Sequence, residues 1–115
     1  MKRSGQVVLF DFPQVNQPHG KLRPALLIGR FPGPYDDWLI CMISSQIRHY
    51  VEEFDEIIHE GDIDFARSSL NLTSVIRVGR LAVVEGKMLV GSIGEIDEKR
   101  LHRIKRKIAD WLVKT

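Results

Sequence analysis

Residues Gly20 to Gly29 read G-K-L-R-P-A-L-L-I-G, and the second half, Ala25 to Ile28, is an apolar run the length of one buried strand. Proline cannot donate a ladder hydrogen bond, so Pro24 is expected at the first position of that strand. Arg23 then stands at the strand mouth, on a backbone that Pro24 restricts to extended conformations. A guanidinium is always protonated and offers five donors in a fixed fork, which suits phosphate or carboxylate. Two readings stay open: a preorganised anion contact, or an arginine that ion-pairs across a strand end, as most surface arginines do.

Outward from this strand the chain reads as mainly β. Gln6 to Phe12, Q-V-V-L-F-D-F, is β-branched and aromatic, follows Gly5 and is stopped by Pro13, which predicts the first strand. Pro13 to Leu22 carries two prolines and a glycine and reads as a long loop, of the kind that often carries function. Ala25 to Arg30 and Trp38 to Ile43 are strands flanking the turn F-P-G-P-Y-D-D. Val51 to Ile58 reads as an acidic strand, Gly61 to Leu72 as irregular with one helical turn around Asp64 to Ser68, and Lys87 to Gly94 as a further strand. Ser74 to Val84 alternates as a strand, which Gly79 interrupts as a bulge or close approach would.

No long helix separates these strands, so the sheet is predicted to be largely antiparallel and to curl into a small barrel. The end differs. From Asp97, a good N-cap, Leu101, Ile104, Ile108, Trp111 and Leu112 recur at three- and four-residue spacing, one apolar face of a helix that should pack on the barrel. Trp111 is expected in that helix's core stripe. The fold class is mainly β with a C-terminal α-helix, one domain over residues 1–115.

Composition, 43% apolar and 28% charged, is ordinary for a globular chain long enough to bury a core without disulfides. Cys41 has no second cysteine to pair with and, in L-I-C-M-I, reads as a small core hydrophobe rather than a redox thiol. No apolar run approaches the roughly 20 residues of a membrane span, and the N-terminus leads straight into a strand pattern, so a cytoplasmic protein without membrane contact is expected. Net charge is only +2, but Glu52 to Asp64 holds seven acids and no Lys or Arg, whereas Asp97 to Thr115 holds seven Lys or Arg against three acids. That predicts two electrical faces. The helix's basic residues read as a solvated face or as a nucleic-acid stripe. No pair or triplet of His, Cys, Asp or Glu has metal-ligand spacing, and neither a metal nor a cofactor is expected.

Taken in order, these pieces resemble the MazF/PemK family, the toxin halves of toxin-antitoxin pairs known as mRNA interferases. G-Q-V-V-L-F-D-F is similar to the family's opening strand, G-K-L-R-P-A-L-L-I to its G-x-x-R-P-hydrophobic signature, I-S-S-Q to its I-T-S or I-T-x-Q strand end, and S-V-I-R-V-G-R-L to a later strand. The resemblance implies an SH3-like barrel of the MazF/CcdB kind, a homodimer, an acidic cognate antitoxin that occupies the substrate groove, DNA contact only through that antitoxin, and metal-independent cleavage of single-stranded RNA. It places Arg23 on the family's catalytic arginine and Ser44 on its catalytic Thr or Ser. In the family's chemistry the ribose 2′-hydroxyl attacks the adjacent phosphorus, leaving a 2′,3′-cyclic phosphate and a 5′-hydroxyl.

Side-chain chemistry agrees with half of this. Arg23 can hold phosphate oxygens in a bidentate grip while the Ser44 hydroxyl donates to the same oxygens, although a strand-end serine also bonds its own backbone. Ser45, Gln46 and Lys21 are expected at the RNA, and Arg77 either as a second phosphate contact or in a cross-strand ion pair. Proton transfer has no obvious owner. Several family members carry an acid where this chain has Gly79; His19, which titrates near neutrality beside Arg23, is the substitute by chemistry, or a loop bystander. His49 and His59 have a weaker claim, and His102 lies on the helix. Two rivals to the ribonuclease remain: a non-catalytic toxin of the same fold that poisons gyrase by protein contact, of which Trp111 near the C-terminus is a reminder, and a degenerate member that binds RNA or antitoxin without cutting. The recognised bases depend on loop shape.

Overall fold

The computed structural model describes residues 2–14 and 17–115, with the side chains of 12–14 and 17–21 outside the description. Six strands, β1 Gln6–Gln14, β2 Gln17–Arg30, β3 Asp37–Ser44, β4 Glu56–Ile58, β5 Ser74–Glu85 and β6 Leu89–Glu95, are joined by a short helix α1 Phe65–Ser68 and closed by α2 Glu98–Lys114. Every pairing is antiparallel, in the order β4-β5-β3-β2-β1-β6. β4 and β6 are the two edges and do not pair among the described residues, so the predicted barrel is not closed. No helix is long and apolar enough to cross a membrane among the described residues.

The apolar run of β2 is buried on both faces, which is why it reads as continuous rather than alternating. Leu26 and Ile28 face one cluster with Val7, Cys41, Ile43 and Ile76, roofed by Ile104 and Ile108 of α2. Ala25 and Leu27 face a second with Val8, Phe10, Trp38, Ile40 and Leu89. Cys41 is fully buried, and burial first, then the charge of Asp55, pushes its thiol up out of the titratable range. It is a core residue.

Further expectations need correction. Among the described residues the expected loop from Pro13 to Leu22 is strand instead: 13–14 end β1 and 17–22 begin β2, a two-stranded arm with Phe12 opposite Lys21 and Gln14 opposite Gln17. Prolines at 13 and 18 fit such an arm because alternate N–H groups on a free edge have no ladder partner. For the same reason Pro24 lies inside β2 rather than at its start. Val51 to Asp55 is a turn, since the Asp55 carboxylate takes the N–H of Val51 at 2.9 Å and that of Val78 at 2.9 Å and folds the chain back; only Glu56–Ile58 is strand. Trp111 is 51% exposed and Leu112 62%, so the buried stripe of α2 ends at Ile108 and neither belongs to the core.

The two electrical faces are in fact one contact. Arg100, Arg103 and Lys107 of α2 pair with Glu56, Asp62 and Asp64 of the acidic stretch, so three of the seven basic residues are spent on contacts within the molecule. The Asp97 side chain caps α2 by accepting from the N–H of Lys99, and the Asp97 N–H itself donates to Asp64 at 3.0 Å.

α1 is pressed against β6 at Gly94, where a methyl carbon would sit on the carbonyl oxygen of Arg67 and 2.6 Å from the carbonyl carbon of Ser68. Backbone cannot swing aside as a side chain can. Gly94→Ala is expected to lower stability by about 2 kcal/mol, read as a reduced urea midpoint; an unchanged midpoint would show that α1 does not dock there.

Candidate active site

The ladder between β2 and β3 ends at Ala25 and Met42. Beside it Pro24 has no N–H to carry the pairing further. Continuing the register sets Arg23 across from Ser44, but by then the strands have parted: Arg23 stays paired with Phe10 on β1 and Ser44 with Val75 on β5. Between the diverging ends opens a cleft of about 330 Å³. Arg23, Pro24, Ile43 and Ser44 form one wall, Ser69 to Leu72 with Ser74 the other, and Leu9 and Ile93 contribute apolar surface.

Arg23 is exposed, makes no ion pair with a carboxylate among the described residues, and is the one charged side chain among the described residues lining the cleft. Its positive charge therefore faces open space instead of a strand-end partner. Ser45 and Gln46 line the same cleft. Arg77 sits opposite Met42 on β5, half-buried and outside the cleft lining, and the cross-strand ion pair that was one of its two readings does not form among the described residues. The side chains of His19 and Lys21 lie outside the described residues.

The Ser44 hydroxyl is held from two sides. Its oxygen accepts the backbone N–H of Gln46 at 3.0 Å, and it lies 3.1 Å from Nδ1 of His49. A 3-10 turn, Ile47–His49, closed by the His49 N–H on the carbonyl of Gln46 at 3.0 Å, brings the imidazole back to the serine. Partial removal from water, then the positive charges of Arg77, Arg48 and Arg80, hold His49 below the usual imidazole pKa and so favour its neutral form. A neutral ring beside a hydroxyl can accept its proton.

His49 is the residue that the fold sets beside Ser44. S-S-Q-I-R-H-Y contains the turn, but nothing in it says that the turn closes on Ser44. Asn71 and its neighbours Leu70 and Leu72 fall in the stretch that reads as irregular chain; they follow Ser69, which takes the left-handed conformation at φ 61° to end α1. At Gly79, in the β5 bulge where Met42 pairs with Arg77 and Cys41 with Leu81, an added Cβ would stand 3.3 Å from the Phe54 ring. A carboxylate there would have to displace Phe54, which packs on the core.

A family model described as PemK-like, MazF-like toxin of type II toxin-antitoxin system matches residues 3–112. Among solved structures, the chain is similar to one in the crystal structure of MazE-MazF (Form-II) from Deinococcus radiodurans, with a TM-score of 0.70, 18% identity, and coverage of 99% of this chain and 97% of that one. At that identity the likeness concerns the fold. No curated protein matches the sequence at a significant level.

Proposed function

Because the chain belongs to the PemK-like, MazF-like toxins of type II toxin-antitoxin systems, we propose that it is an endoribonuclease that cleaves single-stranded RNA without a metal ion. The observation that carries this reading is the meeting of Arg23 and Ser44 in one cleft that holds no described carboxylate. Such a site attracts a phosphodiester and repels none of its charge. Two guanidinium N–H groups grip the non-bridging oxygens as negative charge builds on phosphorus. The ribose 2′-hydroxyl is the nucleophile, and Ser44 is the second polar group at the reacting centre. Unpaired RNA is the substrate because O2′, phosphorus and O5′ must come nearly into line, which an A-form duplex resists. Ser45 and Gln46 contact the strand at the mouth of the cleft, and mRNA places the action in the cytoplasm.

An acidic antitoxin segment that lays a carboxylate against Arg23 would shut the cleft by the same charge complementarity, and the working form is a homodimer. Any DNA contact runs through the antitoxin.

The test is incubation of the purified protein with single-stranded RNAs of varied sequence in EDTA. Cleavage is expected, with 5′ ends that polynucleotide kinase labels directly and 3′ ends carrying a cyclic phosphate; the same sequences as duplexes should survive. Intact RNA across a sequence library would end the ribonuclease reading. The exposed Trp111, Leu112 and Val113 at the end of α2 favour a second reading, toxicity by protein contact. Inert RNA with gyrase inhibited would establish that one.

A further inference from the structure

We infer that His49 draws the 2′-hydroxyl proton of the RNA away through the Ser44 hydroxyl, so that the Ser44–His49 pair supplies the base for the reaction. The inference rests on the ribonuclease reading of the cleft. Ser44 lines the cleft and His49 stands behind it, so His49 is a positioning residue and a proton store that never touches substrate.

The hydrogen bonds dictate the direction. Ser44 Oγ has one proton and two lone pairs. The Gln46 N–H fills one lone pair at 3.0 Å. Nδ1 of His49 lies 3.1 Å away; in the tautomer that leaves Nδ1 bare, which the relay requires, the Ser44 proton points at the ring and the remaining lone pair is left as an acceptor for a hydroxyl. Ser44 is then not the phosphate donor expected from the sequence; that work falls to Arg23.

The step balances without a metal. The O2′–P bond forms and the P–O5′ bond breaks. The O2′ proton passes to Ser44 Oγ as the Ser44 proton passes to His49 Nδ1. A water molecule protonates the departing O5′, and the hydroxide left behind removes the proton from His49.

The charged groups facing the ring are all cationic: Arg48 on its own turn, and Arg77 and Arg80 on β5. None of the three has a carboxylate partner among the described residues, and no carboxylate hydrogen-bonds to His49 among them. They keep Nδ1 free to accept near neutral pH. An acid where Gly79 stands would press on Phe54, and the imidazole fills the role instead.

Three measurements decide the matter. In the wild type, kcat/KM is expected to rise with pH through a value below the usual imidazole pKa and then level off. In His49→Asn and His49→Gln, which keep a polar partner for Ser44 but cannot titrate there, kcat should fall about 100-fold with KM within about twofold, and that rising limb should vanish. Nitrogen-15 NMR of the free protein should show Nδ1 unprotonated and Nε2 protonated. A wild-type rate and pH profile in the Asn or Gln variant, or a protonated Nδ1, would overturn the relay while leaving the ribonuclease in place. A wild type that cleaves no RNA at all would remove both. Because the wild-type profile and the NMR need no substitution, a variant that misfolds does not rescue the idea.

Discussion

Replacing Arg23 by alanine is expected to slow single-turnover RNA cleavage about 1,000-fold, and replacing it by lysine about 100-fold, with the melting temperature nearly unchanged in both. The separation of activity from stability follows from where the side chain stands. Arg23 is exposed, bonds no carboxylate among the described residues, and its backbone is held by pairing with Phe10 whatever the side chain. Removing a free charge from solvent costs the fold little. The transition state differs. Two parallel N–H donors on one planar group match two phosphate oxygens, whereas an ammonium is a compact point charge that cannot reproduce both bonds at once. A lysine variant at full rate would mean that Arg23 acts only as a positive charge, and an alanine variant at full rate would mean that the chemistry happens elsewhere. Ser44→Ala should slow the step as well, and combining it with a His49 substitution should cost little more than either alone, because the two side chains form one relay.

How much of this was legible in the sequence depends on whether the information was local. Helix α2 was readable from Asp97 onward because its cap and its 3.6-residue period are written in consecutive residues, and Ile104 and Ile108 are indeed buried. The apolar run Ala25 to Ile28 showed its burial for the same reason. Pro24 was harder. Its lost N–H could have meant a strand start; in the folded chain it marks the place where β2 loses one neighbour and keeps the other, and only the register with β1 and β3 distinguishes the two cases.

What stayed hidden were meetings between distant segments. The Asp55 carboxylate that reels in Val51 and Val78 turns an apparently acidic strand into a turn, and nothing near Glu52 announces it. The acidic stretch and the basic helix were visible as opposite charge excesses, but their docking against each other depends on α2 crossing the sheet edge at β4. The strand residues 13–14 and 17–22 read as loop because proline and glycine signal irregular chain only when a strand would need every N–H, and a two-stranded arm does not. Arg23 was legible as an anion contact and Ser44 was named through the family resemblance, yet the cleft between them is a product of two strands separating, and a single tight turn brings His49 up behind Ser44.

The largest effect on stability is expected at Arg100. Its guanidinium, 9% exposed, donates to Asp64 at 2.8 Å, to Asp62 at 2.9 Å, to Glu56 at 3.1 Å and to the carbonyl of Ile57 at 3.0 Å. Asp64, whose side chain is 1% exposed, also accepts the N–H that begins the turn into α2. Arg100→Ala therefore does more than delete a bond: it leaves a carboxylate buried without its cation, at a cost of about 3–5 kcal/mol. Against a domain stability of roughly 5–15 kcal/mol, that removes a large share, and the urea midpoint should fall accordingly. Arg103→Ala is the internal comparison, since Arg103 is 52% exposed while pairing with the same Glu56, and its loss should cost less than about 1 kcal/mol. Acid should act on the same cluster. Burial opposes the charge of Asp64 and of Glu56, but Arg100 at the first and Arg103 with Lys107 at the second more than offset it, while the His59 N–H and then Arg100 do so at Asp62, so all three carboxyls are held below their ordinary values. Depressed carboxylates contribute stability that is complete above the unfolded values, about pH 4 to 5, and that is lost as pH falls through the folded ones. The wild type is thus expected to lose stability steeply below about pH 4, and Arg100→Ala, already without the cation that depresses Asp64, should show a shallower acid limb. Equal slopes in the two proteins would place the acid-sensitive pairs somewhere other than beneath α2.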